Sequence, residues 1–411
     1  FSVAPSCAPS RATLLTGQYP HTHGVDCLSH VRPGKSLSPF HFTLPRILKQ
    51  AGYSTAIHGK WHVAPFFPKG WYGYRRSLAG PNPFAMRIRS SRRAVSYIEK
   101  HADEPFYLEL NYMNNHRYAN GNFRGATEYL PEPEEITIPD YYALPDMPDL
   151  REDLAKYYSQ TMKMDELVGE VLDALDRSGI ADETLVLFVS DNGPPYPGAK
   201  MTLYDRGSAV PLLMRLPGVI PPGRVVEQPV NTVEIMPTIL DTLSLPVPQE
   251  VQGRSLLPVI THAAPEDPTR PIFTELTYHV KLVPMRAVRV DGWKYIRNYS
   301  SSNIGLDQLN HRDWAHILCR LPNQPWKRPR VPEELYDLTA DPTEQVNLVD
   351  SRPTKLNELR ALLDEHLLET EDPYLHEEFV DDYDPRDYRR RRYEQPWWHM
   401  FRPKKSRVPP P

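Results

Sequence analysis

Residues 184–193 read TLVLFVSDNG, and the change of character inside this decapeptide is the key to the fold. TLVLFV is apolar, β-branched and aromatic, and is too short to be a typical helix, so it reads as a strand. Ser190-Asp191-Asn192-Gly193 is the polar turn that ends it. Just upstream, Leu150 to Gly179 carries the apolar spacing of a long amphipathic helix closed by glycine. Downstream, VPLLMRLPG (210–218) is a further strand, and NTVEIMPTILDTLSLP (231–246) is a helix with a polar N-terminal cap and a proline stop.

The same alternation runs back toward the start. LPRILKQAG (44–52) predicts a helix with a glycine stop, YSTAIHGKWH (53–62) a strand entering a loop, and Arg87 to His101 a helix. PFYLELNYM (105–113) predicts a buried strand that runs into Asn114-Asn115-His116-Arg117. Residues before 44 read as an opening loop, and Ala119 to Pro148 as a long proline-rich loop. Strands alternating with helices imply an α/β fold, a mostly parallel sheet with helices on both faces. In such sheets chemistry gathers at the carboxyl ends of strands. The polar clusters around His62, His116 and Asp191 are therefore expected on one rim.

Beyond about Pro265 the pattern changes. PIFTEL, MRAVRVDG and WKYIRNYS are short strands joined by turns, followed by ELYDLTADPTEQVNL and a helix from Pro353 to Glu369. The expected organisation is a catalytic domain over 1–264, a smaller antiparallel-sheet subdomain with a packed helix over 265–375, and a charged, aromatic, proline-rich tail over 376–411.

With 411 residues, 40% of them hydrophobic, the chain can bury a large core. Its 48 basic and 52 acidic residues give a net charge of -4, which supplies no global drive toward nucleic acid or membranes. The three cysteines, Cys7, Cys27 and Cys319, are too few for a disulfide framework. No apolar run is long enough to span a bilayer.

Cys7-Ala8-Pro9-Ser10-Arg11 followed by ATLLTG, together with GYSTAIHGKWH, FVSDNG, VPLLMRLPG and ELYDLTADPTEQVNL in that order, resembles the type I sulfatases over nearly the whole chain. SDNGPPYPGAKMTLYDRGSAVPLL and YHVKLVPMRAV are most similar to the sulfamidase branch, which cleaves N-sulfo groups from glucosamine. The resemblance implies an alkaline-phosphatase-like sheet sandwiched by helices. It implies hydrolysis of a sulfate ester or N-sulfo group on a glycosaminoglycan-type sugar, with Ca2+ or Mg2+ as metal. It further implies oxidation of Cys7, by a formylglycine-generating enzyme, to formylglycine, whose hydrate is the nucleophile.

By the same resemblance Arg11 holds the hydrate, and Lys60 and Lys200 contact the sulfate. His62 helps expel sulfate, and His116 touches the sulfate or protonates the leaving group. His21 lines the substrate pocket. Asp191 and Asn192 ligate the metal with an oxygen derived from Cys7; a pair of hard oxygen donors suits Ca2+ or Mg2+. Two departures stand out: Met113-Asn114-Asn115-His116 replaces the usual H-x-P-H, and Lys200 stands where sulfamidases tend to carry arginine. Relatives also place two metal-binding aspartates on a strand upstream of the cysteine motif. With six residues before Cys7, the expectation is that the given sequence begins downstream of that strand. A periplasmic, secreted or lysosomal location goes with the family.

Other readings stay open. A phosphonate monoester or phosphodiester hydrolase can use the same nucleophile, and a non-catalytic glycan-binding relative could keep the anion pocket. A thiol enzyme would use unmodified Cys7. His21 and His23 could form an H-x-H metal pair, although no third ligand is near in sequence. Cys27 reads as structural. The basic, tryptophan-bearing segment from Arg386 to Lys405 could grip an acidic glycan, but the acidic stretch before it favours a solvated or self-packed tail.

Overall fold

The computed structural model describes residues 1–29, 35–64, 69–78, 88, 90–118, 121–123, 129–279, 281–302 and 330–380. Its helices are α1 (Cys7–Thr16), α2 (Pro20–His23), α3 (Leu44–Gln50), α4 (Arg92–Lys100), α5 (Pro148–Arg177), α6 (Asp205–Ser208), α7 (Ile235–Thr242), α8 (Leu257–Ile260) and α9 (Pro353–Glu369). Its strands are β1 (Ser54–Gly59), β2 (Arg76–Ser77), β3 (Phe106–Asn111), β4 (Val186–Val189), β5 (Leu212–Arg215), β6 (Ile272–Tyr278), β7 (Leu282–Val290), β8 (Trp293–Asn298) and β9 (Glu333–Asp337). The tail segment 386–405 and Cys319 lie outside the described residues.

β1 pairs in parallel with β2 and, from Ser54↔Phe106 to Gly59↔Asn111, with β3. Gly59 closes β1 with φ 94°, and a Cβ there would lie 2.1 Å from the Asn111 carbonyl oxygen, so only glycine fits this approach. β4 and β5 form an antiparallel pair. Ile98 of α4 and Ala174 and Leu175 of α5 pack with Phe106 and Leu108 of β3 and Val186 of β4, so one helical layer underlies both sheets. β3 and β4 are half-buried throughout, where the apolar sequence suggests buried strands. Among the described residues, the edge of β3 away from β1 and the edge of β4 away from β5 carry no paired strand.

The opening stretch differs from the expected loop. Cys7 to Thr16 form a helix, ended by Gly17 at φ 64° with its N–H bonded to the Thr13 carbonyl at 2.8 Å. Eight of its residues, Cys7 to Ser10, Ala12, Thr13, Leu15 and Thr16, are buried. A helix buried on nearly all sides shows no amphipathic stripe, and this is why periodicity misses it. The predicted helix over Arg87–His101 shortens to Arg92–Lys100. Ahead of α7 the Asn231 N–H donates to Glu234 Oε2 at 2.8 Å, opening the turn that leads into the helix.

The C-terminal part is a four-stranded antiparallel sheet in the order β6-β7-β8-β9. Successive strand residues face opposite sides, and both sides are used. Val288, Tyr295 and Leu335 take the Leu356, Leu359, Leu363 and Leu367 stripe of α9, while Met285, Ala287 and Ile296 pack on Met201, Leu203 and Tyr204. This sheet thus backs the segment that carries Lys200. Among the described residues, no helix is long and apolar enough to cross a membrane.

A buried polar network joins the two parts. His21 Nδ1 lies 2.5 Å from Glu275 Oε2 and 3.2 Å from Asp372 Oδ2, and Arg286 Nε donates to Asp372 Oδ2 at 2.6 Å. Burial lowers the His21 pKa, but Glu275 and Asp372 outweigh it, and the net shift is upward from 6.5. A raised histidine contributes stability fully below its unfolded value and loses it as pH rises through the folded one. The stability gap between the wild type and His21→Gln, measured by urea unfolding, should therefore narrow as pH rises from about 6 to about 9. A gap that stays constant over that range would refute the assignment.

Candidate active site

Cys7 is the first residue of α1 and is 2% exposed. Three loops at strand ends converge on it, as the rim argument expects. Lys60 and His62 follow β1, His116 follows β3, and Asp191 and Asn192 follow β4. Lys200 comes from the loop between β4 and α6.

Lys200 Nζ donates to Cys7 Sγ at 3.3 Å, and the thiol points to Asn192 Oδ1 at 3.6 Å. Arg11, one turn along α1, donates from Nε to Asp191 Oδ2 at 2.8 Å and from Nη1 to the Lys60 carbonyl at 3.4 Å. Lys60 Nζ lies 3.9 Å from the same carboxylate oxygen. Burial pushes the Cys7 thiol up, but Lys200 and Lys60, together with side-chain hydrogen bonding to His116 and His62, bring it well below its ordinary value of 9.0. The same interactions place both histidines at the sulfur.

The tautomer of His116 follows from its partner. Nδ1 lies 2.6 Å from the Arg117 carbonyl, which can only accept, so Nδ1 carries the proton and Nε2 is left for Cys7. Burial and the Lys200 charge lower the His116 pKa, which favours the neutral ring. Asp191 is lowered as well: burial would raise it, but Arg11 and Lys60 dominate.

Two residues beside these groups have left-handed backbones, His62 at φ 63° and Met201 at φ 73°. Such conformations cost roughly 1–3 kcal/mol and persist where the surroundings impose them. Met201 N–H is held by the Pro5 carbonyl at 2.9 Å, which ties the Lys200 loop to the segment before Cys7.

Asp191 Oδ2 is occupied by Arg11, and no described residue donates to Oδ1. Asn192 Nδ2 is tied back to the Gly193 carbonyl at 2.7 Å, so Oδ1 faces Cys7. A carboxylate oxygen and an amide oxygen on adjacent residues of the turn beside Cys7 are a donor set that suits a hard divalent cation.

The side chain of His21, expected to line the substrate pocket, is buried in an ionic network. Its hydrogen bonds go to Glu275 and Asp372, because those buried carboxylates supply the charge-assisted partners its ring can reach. His23 sits between Thr13 Oγ1, at 3.2 Å, and the Val25 N–H, at 3.1 Å. Cys27 Sγ accepts the Lys35 N–H at 3.1 Å in a structural role. Sequence reasoning missed His279, which is 2% exposed and whose Nδ1 lies 2.9 Å from Ser6 Oγ. It also missed the Arg117–Asp153 ion pair behind His116, with Nη2 to Oδ2 at 2.5 Å. His279 falls inside YHVKLVPMRAV, and no motif spacing marks it apart from its neighbours.

Residues 1–245 match the family model described as Sulfatase, and residues 199–310 match the model described as N-sulphoglucosamine sulphohydrolase, C-terminal. The chain is 31% identical to the N-sulphoglucosamine sulphohydrolase of Homo sapiens, an alignment that covers 91% of this chain and 83% of that protein. It is 27% identical to arylsulfatase K of Gallus gallus over 88% of this chain and 74% of that one. Among solved structures, a 2-O GAG sulfatase superposes with a TM-score of 0.67 at 22% identity, covering 94% of this chain and 87% of that chain. A structure in complex with its substrate D-glucosamine-2-N,6-O-disulfate gives 0.64 at 19% identity, over 91% and 90%.

The lysine at Cys7 yields a direct test. In unconverted protein, Lys200→Met removes a cation that favours the thiolate, so the pH midpoint for alkylation of Cys7, read by peptide mass, should rise. An unchanged midpoint would show that Lys200 does not act on the Cys7 thiol.

Proposed function

The chain belongs to the sulfatase family, and from that premise we propose that it hydrolyses a sulfate ester or N-sulfo group on a glycosaminoglycan-type sugar at Cys7. Arg11, Lys60, His62, His116 and Lys200 form the surrounding machinery. One observation carries this assignment of residues. Arg11, Lys60 and Lys200 gather around the nucleophile with Asp191 as the carboxylate among them, so the site has an excess of positive charge suited to a sulfuryl group. The similarity to N-sulphoglucosamine sulphohydrolase, in both whole-chain identity and the C-terminal model, supports an amino sugar carrying the group.

Cys7 Sγ stands where the oxygens of a formylglycine hydrate would be. That group, produced by a formylglycine-generating enzyme, supplies an oxygen nucleophile in place of sulfur. Asp191 and Asn192 are the residues that would hold Ca2+ or Mg2+, an ion that would favour the ionised nucleophile. Lys200 and Lys60 bind the sulfuryl oxygens and take up the charge that grows on them. Arg11 fixes Asp191 from one side and the Lys60 backbone from the other, so the carboxylate and the lysine share one register. His116 Nε2, unprotonated at rest, is placed to hold a proton near the nucleophile and return it to the departing oxygen or nitrogen. His62, held in its left-handed backbone, serves release of sulfate. An exported or lysosomal compartment goes with this reading.

Cys7→Ser, produced in a host that converts only the cysteine motif, should lose aryl sulfate turnover by on the order of 10³-fold or more. Normal turnover by that variant would overturn the formylglycine assignment. The wild type should prefer an aryl sulfate to an aryl phosphonate monoester in kcat/KM, and the reverse preference would move the chain to the phosphonate reading.

A further inference from the structure

The start of α1 has an unusual cap. Ser6 is its N-cap residue in an extended conformation, yet its hydroxyl makes no capping bond. A capping oxygen normally accepts from the second or third helical N–H. Here the third position is Pro9, which has no N–H. The Ser6 hydroxyl turns instead to His279 Nδ1 at 2.9 Å, across 273 residues of sequence.

His279 is firmly placed. It follows β6 directly, and β6 is stitched to the N-terminal segment by Glu275 N–H to the Val3 carbonyl at 2.8 Å and Tyr278 N–H to the Asp26 carbonyl at 3.2 Å. The His279 N–H closes onto the Lys281 carbonyl at 3.2 Å. We propose that His279 is a positioning residue: by holding the Ser6 hydroxyl it fixes the first turn of α1, and with it the Cys7 side chain, against Lys200 and Asn192. The assignment rests on the proposed role of Cys7.

The electrostatics agree with a neutral strut. Burial, then the Lys200 charge, push the His279 pKa down to about 3, so the ring adds no cation to the pocket. The Ser6 hydroxyl thereby exchanges a local capping bond for a long-range tie to the residue that follows β6 of the C-terminal sheet. The position of the nucleophile then depends on that sheet being docked.

The test is a double-mutant cycle on aryl sulfate hydrolysis with Ser6→Ala, His279→Ala and both together. Rates are normalised to the fraction of Cys7 converted, read as a mass loss of about 18 Da. Each single change should lower kcat by about 10- to 100-fold through misplacement, with KM within about threefold, and the double variant should be no worse than the poorer single one. His279→Asn, whose amide can reach Ser6 from the Nδ1 position, should recover most of kcat. Affinity for inorganic sulfate, measured by calorimetry, should stay within about twofold throughout. Additive losses, failure of the asparagine to rescue, or weaker sulfate binding in His279→Ala alone would overturn the proposal, the last by making His279 an anion contact. Should His279→Ala fail to fold, Ser6→Ala and His279→Asn carry the comparison. Failure of the sulfatase reading shows separately, in the wild type's preference between the two aryl esters, and the preferred ester then serves for the cycle.

Discussion

Gathering a half-buried Arg11 beside the buried Lys60 and Lys200 is the constraint that organises this molecule. A cation removed from water costs several kcal/mol unless partners replace the lost hydration, on the order of the penalty for any buried ion. Asp191 answers part of that need, through its bond to Arg11 and its proximity to Lys60. The Cys7 sulfur answers another part by accepting from Lys200. The remainder is left for an anion, so the residues that make the pocket costly also define what fills it.

This arrangement demands rigid supports from many parts of the chain. Asp191 is fixed through its carbonyl by the Ser2 hydroxyl at 2.8 Å, and Ser2 N–H is bonded to the Ser208 carbonyl at 2.7 Å. Gly193 N–H meets the Gly207 carbonyl at 2.8 Å, and a Cβ on Gly193 would come within 2.2 Å of the Arg206 carbonyl oxygen. The Asp191–Asn192 turn and the helix behind the Lys200 loop are therefore in backbone contact, with no room for a side chain between them. The C-terminal sheet completes the support from below, through Met285, Ala287 and Ile296 against Met201 and Leu203.

The sequence makes the rim legible because strand-to-loop transitions leave a strong pattern. FVSDNG and AIHGKWH each pass from apolar to polar at a fixed point, and the structure brings Lys60, His62, His116, Asp191 and Asn192 to Cys7 as that pattern implies. α9 is found at its predicted bounds, because a leucine stripe with a period near 3.6 has one reading. α1 escapes because a helix packed on nearly every side has no stripe. His21 and His279 escape for a different reason: their roles depend on pairing across 254 and 273 residues, with Glu275 and Ser6. No local spacing encodes such a partner.

The loop that carries His116 shows how a departure from the family pattern is absorbed. Met113 and Asn115 stand where the H-x-P-H pattern has its first histidine and its proline, yet His116 still reaches Cys7. The stiffness comes from the next residue. Arg117 makes a two-pronged contact with Asp153 of α5, donates to the Gly121 and Pro195 carbonyls, and stacks over Phe123 at 4.0 Å. A planar guanidinium held on several sides leaves its backbone little freedom. Its carbonyl is the group that orients His116 Nδ1. Rigidity that a proline would place in the main chain is supplied here by a buried ion pair, at a site where the imidazole has to point one way.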